Sequence, residues 1–243
     1  IKDGSLGSKS YVETGCDAII DGDIVSGGNI SLGDRTTVND DVIAADGIVM
    51  QNDIEVHGTV TDSTDIHFSE LSPKNFPFGG PDIYIPLDTV YTLVPGNYRD
   101  VCVSSRVNLY LQGGIYRLRK FLLAPDVVLY INISDDEVLQ LNVEEDIQLA
   151  DRTQIWFSNA DLPLSFQIYS NQNNTMRIGT DCIISGFVFV PNAGIHVCSR
   201  TSITGALNGK EVIIEPDVSV CKPPVLKSLS HSFGAFAPPF NPY

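Results

Sequence analysis

Apolar residues recur at every sixth position through the first quarter of the chain. Counting from Val12 gives Val12, Ala18, Ile24, Ile30, Thr36, Val42, Ile48, Ile54, Val60 and Ile66, a column without a charged member. A second column, two residues on, runs Thr14, Ile20, Ser26, Leu32, Val38, Ala44, Met50 and Val56. A third, two residues before the first, runs Ser10, Cys16, Gly22, Gly28, Asp34, Asp40, Asp46, Asn52 and Gly58. Small and β-branched side chains at alternate positions suit the inner side of a pleated strand. Gly, Asp and Asn suit the tight turns between strands, because they tolerate left-handed backbone. One hexad therefore predicts one short strand and one corner, and three hexads predict a triangular coil of about 18 residues. A period of six would smear the same residues around a helix of 3.6 residues per turn, which excludes a helix.

The pattern breaks over residues 62–90, where Pro73, Pro77, Pro81 and Pro86 predict a connection lying against the coils. It resumes at looser spacing from Tyr91: Pro95-Gly96-Asn97-Tyr98 is echoed eighteen residues on by Gly113-Gly114-Ile115-Tyr116. Alternating runs over 107–111 and 128–133 predict further strands. Near the end Ile178, Ile195 and Val212 stand 17 apart, as do Thr180, Val197 and Ile214. In that frame Cys182 and Cys198 fall on adjacent rungs, within disulfide reach. The expected fold class is all-β, a single-stranded β-solenoid (β-helix) with triangular coils of 17–18 residues. Its expected divisions are hexad coils over 1–66, the proline-rich connection over 67–90, coils continuing the same stack over 91–221, and an aromatic, proline-rich tail over 222–243.

Charge narrows the partners. Fifteen Lys and Arg against thirty Asp and Glu give a formal charge of −15, with no basic stripe. Such a chain lacks the counterion-releasing contacts that nucleic acid requires and is repelled by anionic membrane surfaces. No apolar run is long enough to span a bilayer, so no membrane insertion is expected. The sequence starts at Ile1, which fits a removed leader and a secreted, extracellular or cell-surface location. The five cysteines contain no C-x-x-C pair, which leaves two readings: bridges in an oxidising compartment, or buried thiols that never pair.

Chemistry is sparse. No Gly-rich phosphate loop, G-x-S-x-G or H-E-x-x-H is present, so no enzyme, catalytic residue or organic cofactor is expected. His57 and His196 fall at outward positions. Carboxylate clusters at Asn39, Asp40 and Asp41 and at Asp135 and Asp136 offer hard oxygen ligands at turns and are the candidates for calcium; the plainer reading is a solvated surface.

Two stretches carry a resemblance. Gly186-Phe-Val-Phe-Val-Pro-Asn-Ala-Gly-Ile195 followed by Gly205-Ala-Leu-Asn-Gly-Lys-Glu-Val-Ile-Ile214 resembles the signature of a bacterial extracellular or pilus-associated β-solenoid surface domain, over roughly residues 90–220. It departs at Val190, where that family has Ala. The hexads of residues 10–63 resemble bactofilin-type polymerising solenoids. The resemblance implies an extracellular structural subunit of a bacterial surface filament, sheath or pilus-associated assembly, with a second copy of itself as partner. Open strand edges at the ends of the stack would serve such contacts. Phe233, Phe236, Phe240 and Tyr243 of the tail are the candidates for self-association, or for capping the chain's own end. The alternatives are an adhesin or glycan-binding module using Tyr98, Tyr110, Tyr116 and Tyr130, and a polysaccharide lyase or hydrolase.

Overall fold

A computed structural model describes residues 4–66, 76–134, 137–157 and 165–222. Over these the chain is all-β, with 23 strands and no α-helix. All strand pairings are parallel, and they fall into three ladders. Along the first, Ile85, Val103, Leu123, Leu149, Ile178, Val197, Ile214, Thr14, Leu32 and Met50 are successive partners. Along the second they are Val90, Asn108, Val128, Gln154, Ile183, Ser202, Ser219, Ile19, Thr37 and Glu55. Along the third, Gly96, Tyr116, Leu141, Ile168, Val188, Leu207, Leu6, Ile24, Val42 and Val60 succeed one another.

Stacking order differs from chain order. Strand β1 (Leu6–Thr14) pairs on one side with β22 (Ser202–Ile214) and on the other with β3 (Ile24–Ser26) and β4 (Asn29–Leu32). The hexad strands therefore extend the stack beyond residue 221, and the open edge that β22 would present is satisfied by β1. One end of the stack is β10 (Ile83–Ile85) and β11 (Val90–Leu93); the other is β7 (Gly47–Met50), β8 (Glu55–Val56) and β9 (Val60–Thr61). In sequence, β9 and β10 are separated by residues 62–82. Lys222, the last described residue, leaves from the side of the stack, where its ammonium meets Asp40 at 2.7 Å.

Alternation explains the core. The hexad column from Val12 is fully buried through Val42, half-buried at Ile48 and Ile54, and exposed at Val60, because among the described residues nothing pairs beyond β7–β9. Large side chains fill the middle, where Tyr116, Phe121 and Phe166 are wholly buried. The repeat lengthens there too: Leu123 partners Leu149, and Leu149 partners Ile178, so the 17–18-residue spacing is interrupted.

The 17-residue frame near the end holds for Val197 and Ile214 but not one step earlier, since Ile178 partners Val197. Val190 pairs with Gly209 and Gly194 with Glu211, so three residues, 191–193, stand opposite Lys210 alone. That bulge shifts the frame by two. Cys182 then lies beside Thr201, whose hydroxyl accepts its N–H at 3.1 Å, rather than beside Cys198. The expected Cys182–Cys198 bridge is not formed, and all five cysteines carry free thiols. Burial pushes the Cys182 thiol up to about 11.

The corner between the first and second ladders was not anticipated. Ten residues there, Asp88, Arg106, Asp126, Arg152, Asp181, Arg200, Asp217, Asp17, Arg35 and Asp53, share φ between 55° and 65°. In stacking order Asp and Arg alternate, except where Asp217 meets Asp17 at the junction of the two chain segments. Bidentate pairs join Arg106 to Asp88, Arg152 to Asp126, Arg200 to Asp181 and Arg35 to Asp17. Each neighbouring guanidinium holds its carboxylate below the usual range. Arg99 does the same for Asp82, bringing it to about 2.

These depressed values fix the sign of an acid dependence. A carboxylate whose folded pKa lies below its unfolded value of about 3.9 contributes stability above that value and loses it as pH falls through the folded one. The melting temperature should be level from pH 7 to about 5 and then fall between about pH 4 and 2. Calorimetry across that range checks this; a melting temperature that is constant or rises on acidification contradicts it.

Candidate functional site

The second ladder presents the face that sets this chain apart. Its strands send two columns outward, because alternate residues point to opposite sides of a strand. One is the partner series already given, from Val90 to Glu55. The other runs Thr92, Tyr110, Tyr130, Trp156, Ser185, Thr204, Cys221, Asp21, Asn39 and His57. The residues between them, Leu109, Leu129, Ile155, Ile184, Ile203, Val220, Ile20 and Val38, are buried and hold the face in place. The first seven rungs carry no charge in either column. Asp21 and Glu55 are the only acidic members, both toward one end.

Ten parallel strands at about 4.8 Å spacing make this a strip of roughly 40 Å, with columns about 6.6 Å apart. Its outward side chains brace one another. Tyr110 and Tyr130 stack with ring centres 4.8 Å apart, the indole N–H of Trp156 donates to Gln154 at 2.9 Å, and the Ser219 hydroxyl donates to Ser202 at 3.2 Å. Several apolar members stand in solvent, among them Val90 at 66 % exposure, Trp156 at 47 % and Ile19 at 47 %.

The other two faces are different. Outward residues of the first ladder include Asp100, Lys120, Asp146, Arg177, Glu211 and Glu13, a mixed-charge surface. Those of the third are partly covered: Asn142 and Ala206 point outward yet are almost wholly buried, and Gly7 is buried too. In a chain of net charge −15, a strip whose first seven rungs carry no charge is a contiguous patch of the kind that marks an interaction surface.

The residues expected from sequence are placed as follows. Asn39, Asp40 and Asp41 diverge: Asn39 donates to Asp21 at 2.7 Å, Asp40 meets Lys222, and Asp41 accepts from the N–H and hydroxyl of Thr59, both at 2.8 Å. Asp135, Asp136, Phe233, Phe236, Phe240 and Tyr243 lie outside the described residues. Of the four tyrosines, Tyr98 and Tyr116 are buried, and only Tyr110 and Tyr130 reach the surface. The Tyr116 hydroxyl accepts the N–H of Gln112 and lies 3.0 Å from the carbonyls of Leu93 and Gln112; burial raises its pKa. His196 is not merely solvated, since its Nε2 lies 3.0 Å from Glu215. The uncharged face was missed because its members are scattered over ten segments; the signal available was the corner tripeptide, x-Asp/Arg followed by a small or β-branched residue, which recurs ten times and marks the start of each face strand.

No protein-family model matches the chain, and no curated protein matches it in sequence. Similar solved structures are an ice-binding protein from the Antarctic ascomycete Antarctomyces psychrotrophicus (15 % identity, 89 % of this chain and 93 % of that one, TM-score 0.48), the DUF3494 domain of Shewanella frigidimarina ice-binding protein 1 (13 %, 91 % and 94 %, 0.42) and an ice-binding protein from an Antarctic Flavobacteriaceae bacterium (10 %, 94 % and 81 %, 0.35). None is a pilus, bactofilin or filament protein, and the expected membership of those families and the role as a self-assembling filament subunit are corrected accordingly. The residues that suggested them have a local explanation. Gly186 and Gly205 stack where a Cβ on Gly205 would lie 2.0 Å from the Gly186 carbonyl oxygen, a packing need that carries no function with it. The adhesin alternative loses two of its four tyrosines to the core. At these identities and scores the neighbours carry no argument about function, which rests on the face itself.

Proposed function

We propose that the three ladders wind as a β-solenoid of triangular coils and that the second ladder is an ice-binding face. The winding is supported by the chain's repeated passage through first, second and third ladder in that order. The observation that carries the ice reading is the braced strip of ten rungs, uncharged over its first seven, on a strongly acidic chain. Ice offers no ions to pair with, so any charge pressed against it must give up hydration without recompense. A surface for ice is therefore expected to be free of charge, rigid and repetitive. Hydroxyls and amides, here from Ser185, Ser202, Thr204, Ser219, Thr37 and Asn108, can anchor ordered water, while Val, Ile and aromatic members exclude mobile water between the anchors. Rigidity matters because each contact is weak, and many must form together without a further loss of side-chain freedom.

The remaining surfaces keep the charge, which holds the solution-facing side hydrated. The role is one of binding rather than catalysis, and an extracellular location is part of the reading, since that is where growing ice is met. The test is thermal hysteresis of the purified chain. A gap between melting and freezing points that grows with concentration, with faceted crystals inside it, is the expected result; behaviour identical to serum albumin at equal concentration overturns the reading.

A further inference from the structure

Outside the uncharged face, three different donor types meet on the first ladder. His196 and Cys198 lie two residues apart at the end of β21 (Ile183–Val197), and Glu215 follows β22 on the adjacent strand. Backbone pairing fixes their approach: Val197 partners Ile214, and the Glu215 N–H donates to the Val197 carbonyl at 2.9 Å. One ligand atom from each residue, a ring nitrogen, a sulfur and a carboxylate oxygen, lies within 4.8 Å of the other two. Among the described residues this is the one such group.

We propose that His196, Cys198 and Glu215 bind a zinc-like transition-metal dication. One nitrogen, one thiolate and one oxygen form a borderline-soft set that suits zinc and excludes calcium and magnesium, which take oxygen ligands. Zinc with bonds of about 2.0–2.3 Å needs its ligands closer together than the present limit, by shifts within the reach of three side chains. Glu215 is already oriented for this. Its Oε2 accepts from the N–H and hydroxyl of Ser199, at 2.9 and 2.8 Å, which leaves Oε1, now 3.0 Å from His196 Nε2, as the donor to the metal. Such support from behind a ligand is what holds a metal site in shape. Cys198 is buried, which keeps the sulfur from competing water. Arg177, on the strand before His196, is held by Asp151 at 2.9 Å. Metal entry displaces the Cys198 thiol proton to solvent and leaves the fourth position to water. The site lies on a different face from the ice strip, so it acts as a clip between adjacent rungs, and its loss leaves ice binding intact.

Cobalt(II) titration of the metal-stripped full chain tests this. A saturable one-to-one complex with a thiolate-to-cobalt charge-transfer band in the near ultraviolet, displaced by zinc, is expected. Cys198→Ser should abolish the band and His196→Gln should weaken binding at least tenfold, whereas Cys182→Ser should retain both band and affinity. Zinc should raise the melting temperature of the native chain but not of Cys198→Ser, which reports on the site even if a variant is less stable. Absence of stoichiometric binding, or an unchanged charge-transfer band in Cys198→Ser, overturns the proposal.

Discussion

Gly205→Ala is expected to lower stability by about 3 kcal/mol, one of the largest effects available to a single methyl group in this chain. The residue sits inside β22 at the bend between the second and third ladders, with φ of +145°, where L side chains are strained. An added Cβ would lie 2.0 Å from the Gly186 carbonyl oxygen and 2.8 Å from its carbon. Both obstacles are backbone in a neighbouring paired strand, so relief requires separating the strands rather than turning a side chain. Backbone strain of about 1–3 kcal/mol and weakened ladder hydrogen bonds together give the estimate. For a domain of this size the melting temperature should fall by roughly 6–12 °C. Gly79→Ala, where nothing lies within 4 Å of the new methyl, should change it by no more than about 2 °C. Thermal melts of the pair check this; equal behaviour would contradict the close packing at the bend.

The second large effect is functional. Thr204→Lys should reduce thermal hysteresis at least about tenfold, equivalent to about 1.4 kcal/mol of adsorption free energy, with the melting temperature of the protein unchanged. Thr204 points outward from β22 in the middle of the strip, between Ser185 and Cys221 on the neighbouring rungs. A lysine there folds without difficulty because its head group reaches water. Against ice that head group must be stripped of water or hold the face away, and either outcome removes contacts from several rungs at once. Asn29→Lys makes the same change on the first ladder, which already carries charge, and should leave hysteresis as it was. Equal loss in both variants would indicate a general charge effect instead of a face.

Much of the local structure is legible in the sequence, and the reason is physical. A strand's inner column must be apolar and its corners must tolerate left-handed backbone, so Val12, Ile24, Ile30 and Val42 and the glycines between them announce themselves by period alone. Stacking order is not legible in the same way. The rung that lies on β22 comes from Leu6–Thr14, and nothing in the period of either segment distinguishes a neighbour in space from a neighbour in sequence. The 17-residue frame failed for a similar reason: Pro191, Asn192 and Ala193 bulge opposite Lys210, and two added residues leave the pattern of apolar positions looking regular on both sides. The candidate face was hidden because it is defined by what its outward residues lack. An absence of charge becomes visible only after ten scattered segments have been brought into register.

Direct imaging of adsorption tests the central claim. A single ice crystal is grown slowly in a dilute solution of the chain carrying a fluorophore at its N-terminus, then rinsed and viewed. The account predicts bright, crystallographically oriented bands for the unaltered chain and for Asn29→Lys, and near-background ice for Thr204→Lys. Dark ice with the unaltered chain, or bands of equal brightness with Thr204→Lys, would contradict it.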